Sequence, residues 1–204
     1  MRASVFQKSL PVLVVLALLC TLGHAQGARD GALARIARSG TVHVGYIPTP
    51  GTFAFRDAAG NTVGYSIAVC NKVVEALRKQ LGRPDLRVAF RPLEAAQRIP
   101  LLAAGSIDIE CGGNTNTVGR QKEVDFSHTL FTTGVRFLAR QSVQLDGVPS
   151  LWRRRIAVSR GTTAQETLQR VEREQEIAMT LVATDAEGVR LVEQGQVDAF
   201  AQRR

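Results

Sequence analysis

The spacing of apolar residues changes several times along the first half of the chain, and each change marks an element. Leu33 and Ile36 stand three apart between Gly31 and Ser39, the spacing of a short helix that Gly40 ends. Thr41-Val42-His43-Val44-Gly45-Tyr46 alternates and is rich in β-branched residues, which predicts a strand. Pro48, Pro50 and Gly51 break regular structure ahead of Phe53 and Phe55. After the turn residues Asp57–Asn61, Ile67, Cys70, Val74 and Leu77 recur every three or four positions. They predict a helix over Tyr65–Leu81, stopped by Gly82 and Pro84. Leu86–Phe90 alternates as a strand, and Ile99–Gly105 suits a short helix. Ile107, Ile109 and Cys111 then alternate with Asp108 and Glu110 as a second buried strand. Strand, helix, strand, helix, strand in that order requires crossover connections and a mainly parallel sheet.

The second half repeats this grammar. Thr133–Ala139 reads as a strand, and the polar stretch Gln141–Leu151, with Gly147 and Pro149, as a lobe boundary or hinge. Arg155–Ser159 is a strand, Gly161-Thr162-Thr163 a turn and Ala164–Glu174 a helix. Met179–Ala183, Ala186–Glu193 and Val197–Ala201 follow as strand, helix and strand. The expected fold is α/β with two lobes, residues 26–140 and 151–204, joined by a linker at 141–150.

Between Arg98 and Ser127 lies the stretch with the most chemistry. Gly112-Gly113-Asn114-Thr115-Asn116-Thr117 has almost no apolar side chains, so its N–H, C=O and hydroxyl groups are available to wrap a ligand. Arg120 is expected early in a helix, where free N–H groups already favour an anion. Together they offer what a zwitterion needs: a fork-shaped cation beside carbonyl and hydroxyl acceptors. The competing reading is a plain strand–turn–helix link with Arg120 in water. Gly161-Thr162-Thr163 forms either a second anion cup or an ordinary helix cap. Phe53 is either core or the wall of a pocket.

Composition narrows the partners. The 204 residues carry a net charge of +8, yet the basic residues are scattered and the longest run is Arg153-Arg154-Arg155. No aromatics are interleaved with that run, so nucleic acid is not an expected partner. Met1–Ala25 reads as a signal peptide, with Arg2 and Lys8 before the apolar Leu10–Leu22 and the small-residue site Gly23-His24-Ala25. Its removal takes the charge from +8 to +6, and its presence implies export, to the periplasm or beyond the cell. Leu19 before Cys20 is a poor match to a lipidation site. Cys70 and Cys111 remain, an even pair that an oxidising compartment permits to bond, against the alternative of two free thiols. No metal-ligand spacing is present, His43 and His128 stand alone, and no cofactor is expected.

Gly64-Tyr65-Ser66, Arg98-Ile99-Pro100-Leu101-Leu102, Asp108 through Gly112, Thr115-Asn116, Arg120-Gln121-Lys122, Phe126-Ser127 and Gly161-Thr162-Thr163 follow one another along the chain. Together these segments resemble the periplasmic solute-binding proteins of polar-amino-acid ABC transporters, most nearly the glutamate/aspartate branch. The resemblance implies two α/β lobes closing on a free amino acid that is then delivered to an inner-membrane ABC permease. Arg120 would pair with the ligand's α-carboxylate, helped by Thr115 and the Gly161–Thr163 turn. Gly113 and Thr115 would accept from the ammonium, and Arg98 would face a side-chain carboxylate. Three departures stand out: Ile47 where the branch commonly has Arg, Gly113 where Ser is usual, and Gln202-Arg203-Arg204 in place of an acidic residue. The first two bring a neutral polar amino acid into range. Family members also continue past this point, so the expected second lobe is partial, as in a truncated chain or a non-functional remnant.

An enzyme on the same fold, of dehydratase or cell-wall lytic type, is the competing class. Glu110 and Asp108 are its nearest candidate acids. No nucleophile elbow, metal cluster or phosphate loop accompanies them, so the expectation is a binding protein without catalysis.

Overall fold

The computed structural model describes residues 31–49 and 51–203. The expected signal peptide Met1–Ala25 lies outside the described residues, as do Cys20, Pro50 and Arg204. The chain divides into two compact units, residues 1–39 and 40–204. The described part of the first is helix α1 (Ala32–Ser39), whose Ser39 hydroxyl donates back to the Ile36 carbonyl.

The second unit holds two principal sheets. In the first, β1 (Thr41–Tyr46) lies between β4 (Arg87–Pro92) and β5 (Ile109–Glu110), all parallel. Val42, Val44 and Tyr46 of β1 are buried, and α2 (Tyr65–Gln80) presents Ile67, Cys70, Val74 and Leu77 as its buried face. That is the face read from the spacing. A small hairpin of β2 (Phe55–Arg56) and β3 (Thr62–Val63) precedes α2. The short helix α3 (Arg98–Ala103) leads to β5.

The second sheet runs β6 (Val135–Ala139), β9 (Ala199–Arg203), β7 (Arg155–Ser159), β8 (Ala178–Val182). β7 is parallel to both neighbours, while β6 is antiparallel to β9. Alternation along β7 and β9 sends Ile156, Val158, Ala199 and Ala201 to one face, with Leu168 of α4 (Thr163–Glu172). Ala157 and Phe200 go to the other, with Val192 of α5 (Asp185–Glu193). Helices on both faces leave the central strands dry on both sides, which is why they read as continuous apolar runs.

Both sheets are entered in the same way. Asp108 and Asp198 each follow a helix and a left-handed glycine, Gly105 (φ 68°) and Gly195 (φ 70°). Each carboxylate accepts a backbone N–H of the neighbouring strand, from His43 within β1 and from Arg155 at the start of β7, at 2.9 Å in both cases.

Two expectations change. The strand Val135–Ala139, expected inside a first lobe ending at residue 140, pairs along its whole length with β9. The chain therefore passes to the second sheet before residue 135, ahead of the polar stretch 141–150; composition marks a surface turn but not which sheet a strand joins. Arg120 opens a three-residue 3-10 turn (Arg120–Lys122), not an α-helix, so a helix macrodipole contributes nothing there.

Candidate functional site

The site is assembled where the first sheet's C-terminal connections meet the loop after β7. Gly161 has φ +73°, and a Cβ at that position would come within 2.7 Å of Ala96 Cα. Glycine alone permits both the left-handed backbone and this close approach. The contact carries the Gly161 carbonyl into the first half of the unit, where two guanidiniums meet it. Arg98 Nη2 donates to it at 3.3 Å and Arg120 Nη2 at 3.1 Å.

Both arginines are buried, Arg98 4% exposed and Arg120 8%. Arg120 Nη1 also donates to Asn114 Oδ1 at 2.8 Å and the Thr115 carbonyl at 3.2 Å, and the half-exposed Glu166 lies 3.8 Å from Nη2. Arg98 is less well served: its Nε is enclosed without an acceptor. Burial lowers the pKa of both, holding Arg98 down at about 10. Glu110 acts on both arginines through space; burial pushes its pKa up, opposed by Arg98, a hydrogen bond from Asn114 and Arg120. Its Oε1 is enclosed without a donor, beneath Gly112, where a Cβ would lie 2.5 Å from it. Two buried guanidiniums, with the Arg98 Nε lacking an acceptor, leave the arrangement incompletely paired, a chemistry that suits an anionic group.

Thr115 Oγ1 lies 3.1 Å from Thr163 Oγ1, linking the loop after β5 to the start of α4. The Arg203 guanidinium sits on this pair, with Nη1 donating to Thr115 Oγ1 at 2.8 Å and Thr163 Oγ1 at 3.3 Å. Its Nη2 donates to the Thr133 carbonyl at 2.7 Å. Gly113 has open space where a side chain would stand.

The structure thus brings Arg98 and Arg120 to the Gly161 carbonyl, with Thr115 held by Arg120 through its carbonyl and joined to Thr163 through its hydroxyl. Thr162 is different: its hydroxyl donates to the Ser159 carbonyl (2.7 Å) and accepts from Gln165 N–H (3.2 Å), the helix-cap arrangement. The Gly161 N–H is likewise taken by Gln165 Oε1 at 2.8 Å, so this turn is not the open anion cup expected. Among the described residues Phe53's ring partners are Tyr65 and Phe131, at 6.3 and 5.5 Å between centroids. No hydrogen bond or ring contact ties it to the arginines. Glu166 is not singled out by the sequence although it follows the Gly-Thr-Thr turn; Asn114 stands there only as part of the polar loop, and Arg203 only as a departure from the family's acidic residue.

Cys70 and Cys111 form a disulfide, with their Cα atoms 6.2 Å apart. It ties α2 to the residue immediately before Gly112-Gly113-Asn114, and so anchors the loop that holds Arg120.

Residues 42–203 match the bacterial extracellular solute-binding proteins, family 3. The chain belongs to this family. It is 34% identical over 199 residues to the glutamate/aspartate import solute-binding protein of Salmonella typhimurium, covering 95% of this chain and 66% of that protein. The corresponding protein of Escherichia coli is 35% identical over 197 residues, covering 93% and 65%. The chain therefore spans about two-thirds of the length of these relatives. Among solved structures, an ancestral amino acid-binding protein, a precursor of cyclohexadienyl dehydratase, superposes with a TM-score of 0.71 at 28% identity, covering 85% of this chain and 74% of that one. The fold is that of the periplasmic amino-acid-binding proteins.

Proposed function

We propose that the protein binds a free amino acid in the periplasm, with glutamate or aspartate favoured, and delivers it to the permease of an ABC importer. Its family and its glutamate/aspartate-binding relatives support the class. The single observation that carries the reading is the convergence of buried Arg98 and Arg120 on one carbonyl oxygen, Gly161 O. A carbonyl is a neutral acceptor, so two enclosed guanidiniums sharing it have Glu110 and the half-exposed Glu166 nearby as countercharge, and a carboxylate ligand would complete their pairing. In this reading Arg120 takes the α-carboxylate and Arg98, through its unfilled donors, the side-chain carboxylate. Thr115 and Thr163 line the site, Gly113 leaves room in it, Thr162 holds the α4 end in place, and the Phe53 ring forms part of a rim.

Calorimetric titration of the purified protein with glutamate, aspartate, glutamine and asparagine tests the reading. Arg98→Ala should weaken glutamate by the cost of a lost buried ionic contact, about 2–5 kcal/mol, and change glutamine by less than tenfold. A glutamine preference in the unaltered protein would remove the role given to Arg98, and heat from none of the four would remove the function.

Gly161→Ala tests the geometry. A methyl group there meets Ala96 and forces an unfavourable positive φ, so the two halves must separate and both guanidiniums lose their shared acceptor. Affinity for the preferred amino acid should fall at least tenfold with circular dichroism unchanged; a fall of less than threefold would mean the close approach is dispensable.

A further inference from the structure

The contacts of Arg203 bear on which acids the site accepts. A ligand ammonium needs hydrogen-bond acceptors, and among the described residues those that reach Arg120 or Arg203 already hold a guanidinium N–H. Asn114 Oδ1, the Thr115 carbonyl and the Gly161 carbonyl hold guanidinium N–H groups of Arg120, and the last also holds one from Arg98. The two threonine hydroxyls hold Nη1 of Arg203. Of the nearby carboxylates, Glu110 has its free oxygen enclosed beneath Gly112, Glu166 lies against Arg120, and Asp185 accepts from the Ser159 hydroxyl at 2.7 Å.

Arg203 itself meets neutral acceptors: two hydroxyls and, through Nε and Nη2, the Thr133 carbonyl. These contacts use four of the five N–H groups of a guanidinium, leaving one to offer a ligand oxygen. Its charge reaches Arg120 strongly enough to lower that group's pKa, after the larger effects of burial, Glu166 and Glu110. A third cation beside two buried ones repels an ammonium and attracts an oxygen-bearing group.

We infer that the site takes 2-oxo diacids as a second ligand class, because Arg203 lies on the threonine hydroxyls an ammonium would use, sets a positive charge there and offers a donor to the oxygen that replaces it. The inference rests on the proposed binding of acidic amino acids at this same site. It makes Arg203 a residue that sets ligand charge: glutamate and 2-oxoglutarate share both carboxylates and differ at the carbon bearing nitrogen or oxygen.

The test is parallel calorimetry of the purified protein with L-glutamate and 2-oxoglutarate, repeated for Arg203→Gln and Arg203→Lys. In the unaltered protein 2-oxoglutarate should bind within about threefold of glutamate or more tightly. Arg203→Gln should shift the ratio at least tenfold towards glutamate, and Arg203→Lys, which keeps the charge, should shift it less. Glutamate tighter by tenfold or more in the unaltered protein overturns the inference and leaves the proposed function standing. So does an unchanged ratio in a folded Arg203→Gln. If neither acid binds while the far-ultraviolet spectrum is that of a folded α/β protein, both readings fall together. The ratio in the unaltered protein decides the matter even where a variant does not fold.

Discussion

Arg120→Ala is expected to abolish measurable amino-acid binding while lowering Tm by no more than a few degrees. The guanidinium is 8% exposed and reaches Asn114 Oδ1, the Thr115 carbonyl and the Gly161 carbonyl at once. No smaller side chain spans those three acceptors. Removing a buried charge-assisted contact costs about 2–5 kcal/mol in binding, and here the loop and the turn that shape the cleft lose their common donor as well. Stability behaves differently. Burial lowers the Arg120 pKa, so removing the guanidinium relieves a desolvation penalty that offsets part of the cost of freeing its three acceptors. Arg120→Lys keeps the charge and loses the planar fork, and should bind at least tenfold more weakly than the unaltered protein. Titration calorimetry beside a thermal melt separates the two effects. Undiminished affinity in Arg120→Ala would dismiss the site; a collapse in Tm would make Arg120 a structural strut instead.

Reduction of the Cys70–Cys111 bond should produce the largest loss of stability. The bond closes a loop with a sequence separation of 41 residues. Chain-entropy arguments give about 4 kcal/mol for a loop of that length. For a domain of this size, each kcal/mol moves Tm by about 2–4 °C, so the expected fall is about 8–16 °C. The same melt with and without dithiothreitol measures it, and the paired Cys70→Ser, Cys111→Ser variant should match the reduced protein and ignore the reductant. Because Cys111 immediately precedes Gly112-Gly113-Asn114, affinity should fall with stability. A reduced protein that melts at the same temperature would show the bond to be dispensable.

Much of the fold was legible because the period of apolar residues is a local property. The buried face of α2 and the central strands of both sheets follow directly from spacing in the chain. The matching roles of Asp108 and Asp198, each accepting a backbone N–H of a neighbouring strand, are not read from spacing and come from the structure. Strand partnership was not legible: β6 has the same alternation whether it joins the first sheet or the second, and pairing with β9, some sixty residues on, decides it. Arg120 and Thr115 stand out through their neighbours, whereas Arg203 reads only as a departure from the family's acidic residue and Thr162 as a ligand group.

What the sequence determined on its own is the set of elements, the cysteine pair as a bonding possibility and the small polar loop with its arginine, because all of these follow from residue type and near neighbours. The tertiary structure alone decided that Gly161 meets Ala96, that two guanidiniums share one carbonyl oxygen, and that Arg203 lies on the Thr115–Thr163 hydroxyl pair. Those contacts join residues 40 to 88 positions apart. Over such separations the chain's spelling carries no geometric information, and the packing of the two sheets supplies it.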